Sequence, residues 1–516
     1  MTINESRQHN LRLPISRISN EDLARIFCSL RDGYIKRAER KRRHRGQCLH
    51  GWIGITHVCH AWREVAVRTS LLWSHIDVVP SLRRWIPELL RRSNQSLLSV
   101  VVTELGAYHE EVEKLSGRFN ELVLDGSLDG LRHILTSKPA FQNLETLDIS
   151  LSYGAIVPHD FLLHAKCLRR LALCNCGIDW NSQWLQGLTH LRLVDIPPGF
   201  RPEFNDFLLL LSKIPSLETL HLSQFLREKG ELQTHLTTKV HLQHLQQLSV
   251  CCGVPEMAQF LPCLVVPRSC RLRFSTGNDP IENDFRAIFS WISNQLRVPT
   301  SDADDQGPYI RSFHFFLDPD SDLKVKGFCD VLSHEQLQAA DPILEFVVRE
   351  SDYDSSFDLE TFLSLFPLDN VTFLDIFVTL GVQLYPKFWT IAFGSIQTLS
   401  TIYLDLETSS FWKALILASN DKSTIKSLLF PALALVTVND HCLNPSLILD
   451  KLQVRSELGG MQLQDLRFSS HGGVPPASLM VQLGMLVSHV GIHDGNGSSA
   501  AGQPSTSGSD EESDEE

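Results

Sequence analysis

Several short stretches of this chain gather residue types that do chemistry. Cys48, His50, His57, Cys59 and His60 supply sulfur and imidazole in close succession, the raw material of a zinc site. Their spacing matches no common zinc template, and His57, Cys59 and His60 on a helix over Val58–Trp62 would point in different directions, so no metal is expected. His334-Glu335 opens like a zinc-protease helix but lacks the second histidine. Gly495-x-Gly497 sits in a Gly/Ser-rich stretch with no strand before it, so it is not a dinucleotide loop. Neither a Gly-x-Ser-x-Gly nucleophile turn nor a Gly-x-x-x-x-Gly-Lys phosphate loop occurs. Neither catalysis nor a cofactor is expected. The run Lys36 to Arg45 is strongly basic but carries no interleaved aromatics; it reads as a solvated loop, with nuclear import as the second reading. Ser509 and Ser513 each precede a glutamate by three positions amid acids, the pattern that acid-directed kinases such as casein kinase 2 prefer. Phosphate there would deepen the charge of the tail.

The chain has 516 residues, 43% hydrophobic and 21% charged, enough for more than one structural unit. Its first residues are polar, and no apolar run approaches a membrane span, so no membrane partner is expected. Twelve scattered cysteines without a Cys-x-x-Cys pair fit a reducing compartment, cytoplasm or nucleus. Seven of the thirteen net negative charges lie between Asp494 and Glu516. The body is therefore near balance, which argues against a general nucleic-acid binder.

Two helices are legible near the N-terminus. Ser19 with Asp22 three positions on reads as a cap, and Leu23, Ile26, Phe27 and Leu30 fall on one stripe. A second helix carries Ile55, Val58, Cys59, Trp62, Val65 and Ala66; Thr69-Ser70 stops it, and Leu72-Trp73 folds back as an aromatic lid. Pieces this small bury little surface alone, so part of their apolar face awaits a partner. A linking helix over Leu82–Arg92 follows, bent or started by Pro87.

Residues 18–27 resemble the F-box opening Leu-Pro-x-Glu-x-Leu-x-x-Ile-Phe, and residues 52–73 are similar to its second half, with Val-Cys-x-x-Trp and then Leu-Trp. The nearest likeness is to the large basidiomycete F-box families, where Trp-Ile-x-Ile-Thr-His-Val-Cys follows a variable loop and irregular Leu-rich repeats fill the rest. Ile18-Ser19 departs from the usual Leu-Pro, and Ser70 from a common proline. The resemblance implies a module at residues 18–79, with a polar loop at 31–51, that docks the Skp-type adaptor of a cullin-RING ubiquitin ligase. By position, the adaptor-facing side chains would be Ile18, Leu23, Ile26, Phe27, Val58, Cys59, Trp62, Leu72 and Trp73.

From residue 119 a Leu-x-x-Leu-x-Leu pattern recurs at Phe119, Leu144, Leu168, Leu188, Leu217 and Leu245, with starts 25, 24, 20, 29 and 28 residues apart. That is leucine-rich-repeat spacing. In the third unit Cys176 takes the Asn/Cys position. Weaker units follow at Ile310/Phe313/Phe315, Val371/Leu374/Ile376, Leu399/Ile402/Leu404, Phe430/Leu433/Leu435 and Leu463/Leu466/Phe468, after an apparent insertion at 275–308. The expected organisation is α/β: an extension to residue 17, a small all-α module, a linker over 80–97, one irregular repeat solenoid over 98–490, and a disordered acidic tail over 491–516.

Leucines at alternate strand positions point into a shared core, leaving the residues between them on an open face. Asp148, Arg170, His190, Arg192 and His221 are the candidates there to hold a protein target. The sequence thus supports a substrate receptor of a Skp–cullin–F-box ligase. A second reading is a repeat scaffold with a decayed box that works outside any ligase.

Overall fold

The structure, a computed structural model, describes residues 5, 8–10, 12–40, 51–78, 84–103, 114–136, 140–226, 239–276, 285–296, 309–318, 322–349, 358–379, 382, 384–417, 427–440, 444–458, 461–469 and 475–493. The chain is a mixed α/β protein whose strands are mostly parallel. It divides into two compact units, Met1–Cys252 with Cys263–Pro267, and Gly253–Pro262 with Arg268–Glu516. The N-terminal helices belong to the first of these units.

Helix α1 (Asn20–Arg40) starts without a proline. The Ser19 hydroxyl replaces it: it accepts from the Asp22 backbone N–H at 3.1 Å and donates to the Asp22 carboxylate at 2.8 Å, while Glu21 and Asp22 complement the helix dipole. Because α1 continues to Arg40, half of the anticipated loop at 31–51 is helix, and the basic run begins on that helix. A 3₁₀ segment, Gly51–His57, leads to α2 (His60–Arg68), so the second helix starts five residues later than its apolar pattern suggests. Cys59 is its N-cap, with Sγ accepting from the Trp62 N–H at 3.5 Å. The lid is real: Trp73 is buried, its indole N–H donates to Ala66 O at 2.7 Å, and its ring meets Trp52 edge-on at 5.1 Å. Phe27 packs against Trp62 at 5.2 Å and ties α1 to α2. Helix α3 (Ile86–Ser93) begins at Ile86 with Pro87 in its first turn, where a missing N–H costs nothing; it is shorter than the 82–92 span read from the stripe.

In the first unit, strands β1 (His75–Val78), β2 (Leu98–Val102), β3 (Phe119–Gly126), β4 (Thr146–Ile156), β5 (Arg170–Gly177), β6 (His190–Val194), β7 (Thr219–Ser223) and, beyond the short β8 (Val240–His241), β9 (Gln247–Cys252) pair in parallel, each with the next. The short β8 pairs with β10 (Leu264–Val265). Register places Ile76, Val100, Leu122, Leu147, Leu171, Leu191, Leu220 and Leu248 in one buried row, with Val78, Val102, Leu124, Ile149, Leu173, Leu193, Leu222 and Val250 in the next. The ladder starts two strands before the first repeat visible in sequence. Cys176 is wholly buried and directs its thiol at Ile149 O; burial pushes its pKa up to about 12.

In the second unit, β11 (Arg271–Thr276), β12 (Ser312–Leu317), β13 (Leu323–Phe328), β14 (Leu344–Val348), β15 (Phe373–Val378), β16 (Thr401–Asp405), then, past the short hairpin of β17 (Ile416–Leu417) and β18 (Ser427–Leu428), β19 (Leu435–Asn439), β20 (Asp465–Ser469) and β21 (His489–His493) are arranged β11-β14-β13-β12-β15-β16-β19-β20-β21. Within that order only β13 runs antiparallel to its neighbours. Two readings change here. The unit read as Phe430/Leu433/Leu435 is Leu433/Val436/Val438: Val436 and Val438 stand opposite Ile402 and Leu404, and Leu435 lies on the other face. The helix Arg286–Leu296, assigned to an insertion, is core, with Phe289 against Phe366 at 4.4 Å and Phe346 at 5.3 Å.

Ile26 and Phe27 are neighbours in sequence and opposite in fate, which gives a direct test. Phe27→Ala leaves a void between α1 and α2 and should lower the local stability of the N-terminal helices by about 3–5 kcal/mol. Ile26→Ala, at an exposed site, should change it by less than about 0.5 kcal/mol. Native-state hydrogen exchange over residues 20–30 reads both; equal effects would mean the packing is misassigned.

Candidate functional site

The nine side chains assigned to adaptor contact divide three ways. Leu23, Phe27, Leu72 and Trp73 are buried and hold the module together, so they cannot themselves present surface. Ile18, Cys59 and Trp62 are half-buried. Ile26 and Val58 are 49% and 59% exposed, and Leu30, one turn beyond Ile26, is 41% exposed. An apolar stripe on a helix is wider than one face of contact, and here its inner edge became core while its outer edge stayed in solvent. Leu71, 55% exposed and just before the Leu72-Trp73 lid, is a further apolar group in solvent that the sequence pattern did not single out. Its carbonyl is held by the buried Arg31 guanidinium, which also pairs with Asp32 at 2.7 Å.

All five candidates for target contact come together. Asp148, Arg170, His190, Arg192 and His221 line one depression of about 540 Å³ on the outward face of the first unit's sheet, with Ile35 of α1 beside them. Register explains the grouping: Arg170 stands opposite His190, and Asp148, Ala172, Arg192 and His221 follow one another across β4 to β7. The same depression takes in His75, Asp77 and Glu121, which the repeat pattern did not reach for. There the Ser99 hydroxyl donates to Glu121 at 2.7 Å and accepts from His75 Nδ1 at 3.0 Å.

Charge is therefore sorted along the sheet. Carboxylates lie on β1, β3 and β4, and guanidiniums on β5 and β6. Neither Arg170 nor Arg192 has an ion-pair partner among the described residues. Burial, aided by Arg192, holds the His221 imidazole down at about 4, and burial with Arg170 likewise lowers His190. At neutral pH both rings are uncharged hydrogen-bonding groups beside two fixed cations.

A second cluster escaped the sequence reading because its members are far apart in the chain. In the second unit the Asp375 carboxylate is fully buried and accepts through Oδ2 from His314 Nδ1 at 3.1 Å and His334 Nδ1 at 3.0 Å, while Oδ1 has no hydrogen-bond partner among the described residues. His334 opens a short helix, His334–Ala339, started by a Ser333/Gln336 capping box, and stacks on Tyr403 at 3.9 Å. Burial alone would lower the His334 pKa, but the Asp375 carboxylate outweighs it and the imidazole is raised. Burial would raise Asp375, yet the two imidazole hydrogen bonds bring it below the usual carboxylate range. His334, Tyr403, Thr437, Arg467 and His493 border a shallow recess of about 430 Å³.

Among the described residues no group of three or more His, Cys, Asp or Glu side chains is arranged to hold a metal, and no helix is long and apolar enough to cross a membrane. Cys48 and His50, the second half of the basic run, and Ser509 and Ser513 lie outside the described residues. Comparison with models of known protein families and with curated proteins finds no match to this chain.

The imidazole–carboxylate cluster sets a pH dependence. A raised histidine stabilises the fold below its unfolded pKa of about 6.5 and loses that contribution as pH rises through the folded value; a depressed aspartate contributes above about 3.9. The stability lost in His334→Asn should thus be greatest between about pH 4 and 6.5 and shrink toward pH 8. Urea denaturation of both proteins across that range measures it. A difference that grows with pH would reverse the assignment.

Proposed function

We propose that this chain is the substrate-recognition subunit of a Skp–cullin–F-box type ubiquitin ligase. In this reading α1, α2 and the Trp73 lid are an F-box-like module, and the parallel strand ladders are irregular leucine-rich repeats. The module docks a Skp-type adaptor and through it a cullin-RING ligase, while the charged sheet face of the first unit holds a protein target. No catalytic step falls to the chain itself. Its contribution is proximity, raising the effective concentration of target lysines near a bound ubiquitin-conjugating enzyme.

The observation that carries the reading is the exposure of Ile26, Leu30 and Val58, with Val67 and Leu71, on a module whose aromatic residues Phe27, Trp52 and Trp73 are packed. Branched aliphatic side chains left in water on a small, well-ordered helical unit are what an interface anchor looks like before its partner arrives. The Ser19 cap supports the same reading, since it supplies the helix start that the missing proline would have given.

The test is retention of a purified Skp-type adaptor by the full chain and by Ile26→Asp/Val58→Asp. Two apolar anchors at an interface are worth about 1–2 kcal/mol each, so the double change should weaken binding about thirtyfold to a thousandfold with the melting curve unchanged. Adaptor binding that ignores both substitutions, or a folded wild type that binds none, would leave the scaffold reading in its place.

A further inference from the structure

We infer that the sheet face of the first unit takes an extended protein segment bearing an anionic side chain, carboxylate or phosphate, which seats between Arg170 and Arg192. This rests on the reading of that face as the target site and adds the chemistry of what it recognises.

Arg170 on β5 and Arg192 on β6 are diagonal neighbours across adjacent strands, about 8 Å apart at the backbone, so both guanidiniums reach one bound group. Both line the depression, and neither is ion-paired among the described residues. A guanidinium offers paired N–H donors in a plane that matches a carboxylate or phosphate edge. The neighbouring rings do not compete for the anion as cations: His221 is held neutral by burial and by Arg192 itself. They remain available to hydrogen-bond the segment's backbone.

The other end of the depression limits what enters. Asp77, Glu121 and Asp148 on β1, β3 and β4, the last diagonal to Arg170 across adjacent strands, would repel a second negative charge arriving from the same segment. A nucleic acid, charged at every phosphate, meets attraction at one end and repulsion at the other. A peptide with a single acid, flanked by neutral or basic residues on the side toward β3, satisfies both.

The experiment uses the full chain with immobilised random peptide libraries that differ only in one fixed central residue: glutamate, phosphoserine, serine or lysine. Glutamate or phosphoserine libraries should be retained about tenfold or more over serine, the scale of a charge-assisted hydrogen bond, and the preference should vanish in Arg170→Gln/Arg192→Gln. Which of the two acids is preferred separates carboxylate from phosphate recognition. Equal retention of acidic and neutral libraries, or a preference that survives the double substitution, overturns the inference. So does tighter, Arg170/Arg192-dependent binding of single-stranded DNA. Adaptor retention, measured on the same preparations, keeps the two proposals apart. Loss of acid selectivity with adaptor still bound removes this inference alone, and the converse removes the ligase reading alone.

Discussion

The parallel register of the strands is the constraint on which everything else in this protein depends. Side chains alternate across a strand with a period of two, so a slip of one residue would exchange every buried leucine for a polar neighbour. In the first unit eight strands hold the same register through two buried rows, from Ile76 and Val78 to Leu248 and Val250. The same pairing that buries those rows stacks Asp148, Arg170, Arg192 and His221 on the opposite face. Core and charged outer face are two consequences of one alignment, and neither can be shifted without the other.

The N-terminal helices solve a different problem. They must be rigid although they are small, and they achieve it with aromatics: Trp52 on Trp73, Phe27 on Trp62, and the Arg92 guanidinium 4.3 Å over Trp73. The last contact comes from α3, so the lid is gripped from both sides in sequence. With the core filled this way, Ile26, Leu30 and Val58 remain outside, on a support firm enough to present them.

How much of this could be read beforehand follows from the range of each interaction. Local signals worked: Ser19 as cap, Pro87 as a helix start, Trp73 as lid, and the leucine pattern whose intervening residues gave the five clustered face positions. β1 and β2 were missed because valine and isoleucine carry their inner rows, and the second unit faded because phenylalanine does, as in Phe274, Phe313 and Phe346. Leu435 misled by being a leucine on the outer face. The Asp375 cluster joins residues 41 and 61 positions apart, a juxtaposition made by strand pairing and by one short helix laid over the sheet, and no local spacing encodes it. Likewise, periodicity placed Leu23, Ile26 and Phe27 on one stripe, but only packing decides which edge of a stripe is core.

The central claim is that adaptor docking uses the helical module and leaves the sheet face of the first unit open. Hydrogen–deuterium exchange of the full chain with and without a Skp-type adaptor addresses it most directly. The account predicts slowed exchange in the segments that carry Ile26, Leu30 and Val58, with β5, β6 and β7 unchanged. Protection of β5 to β7 by the adaptor, or no protection in those helical segments, would contradict it.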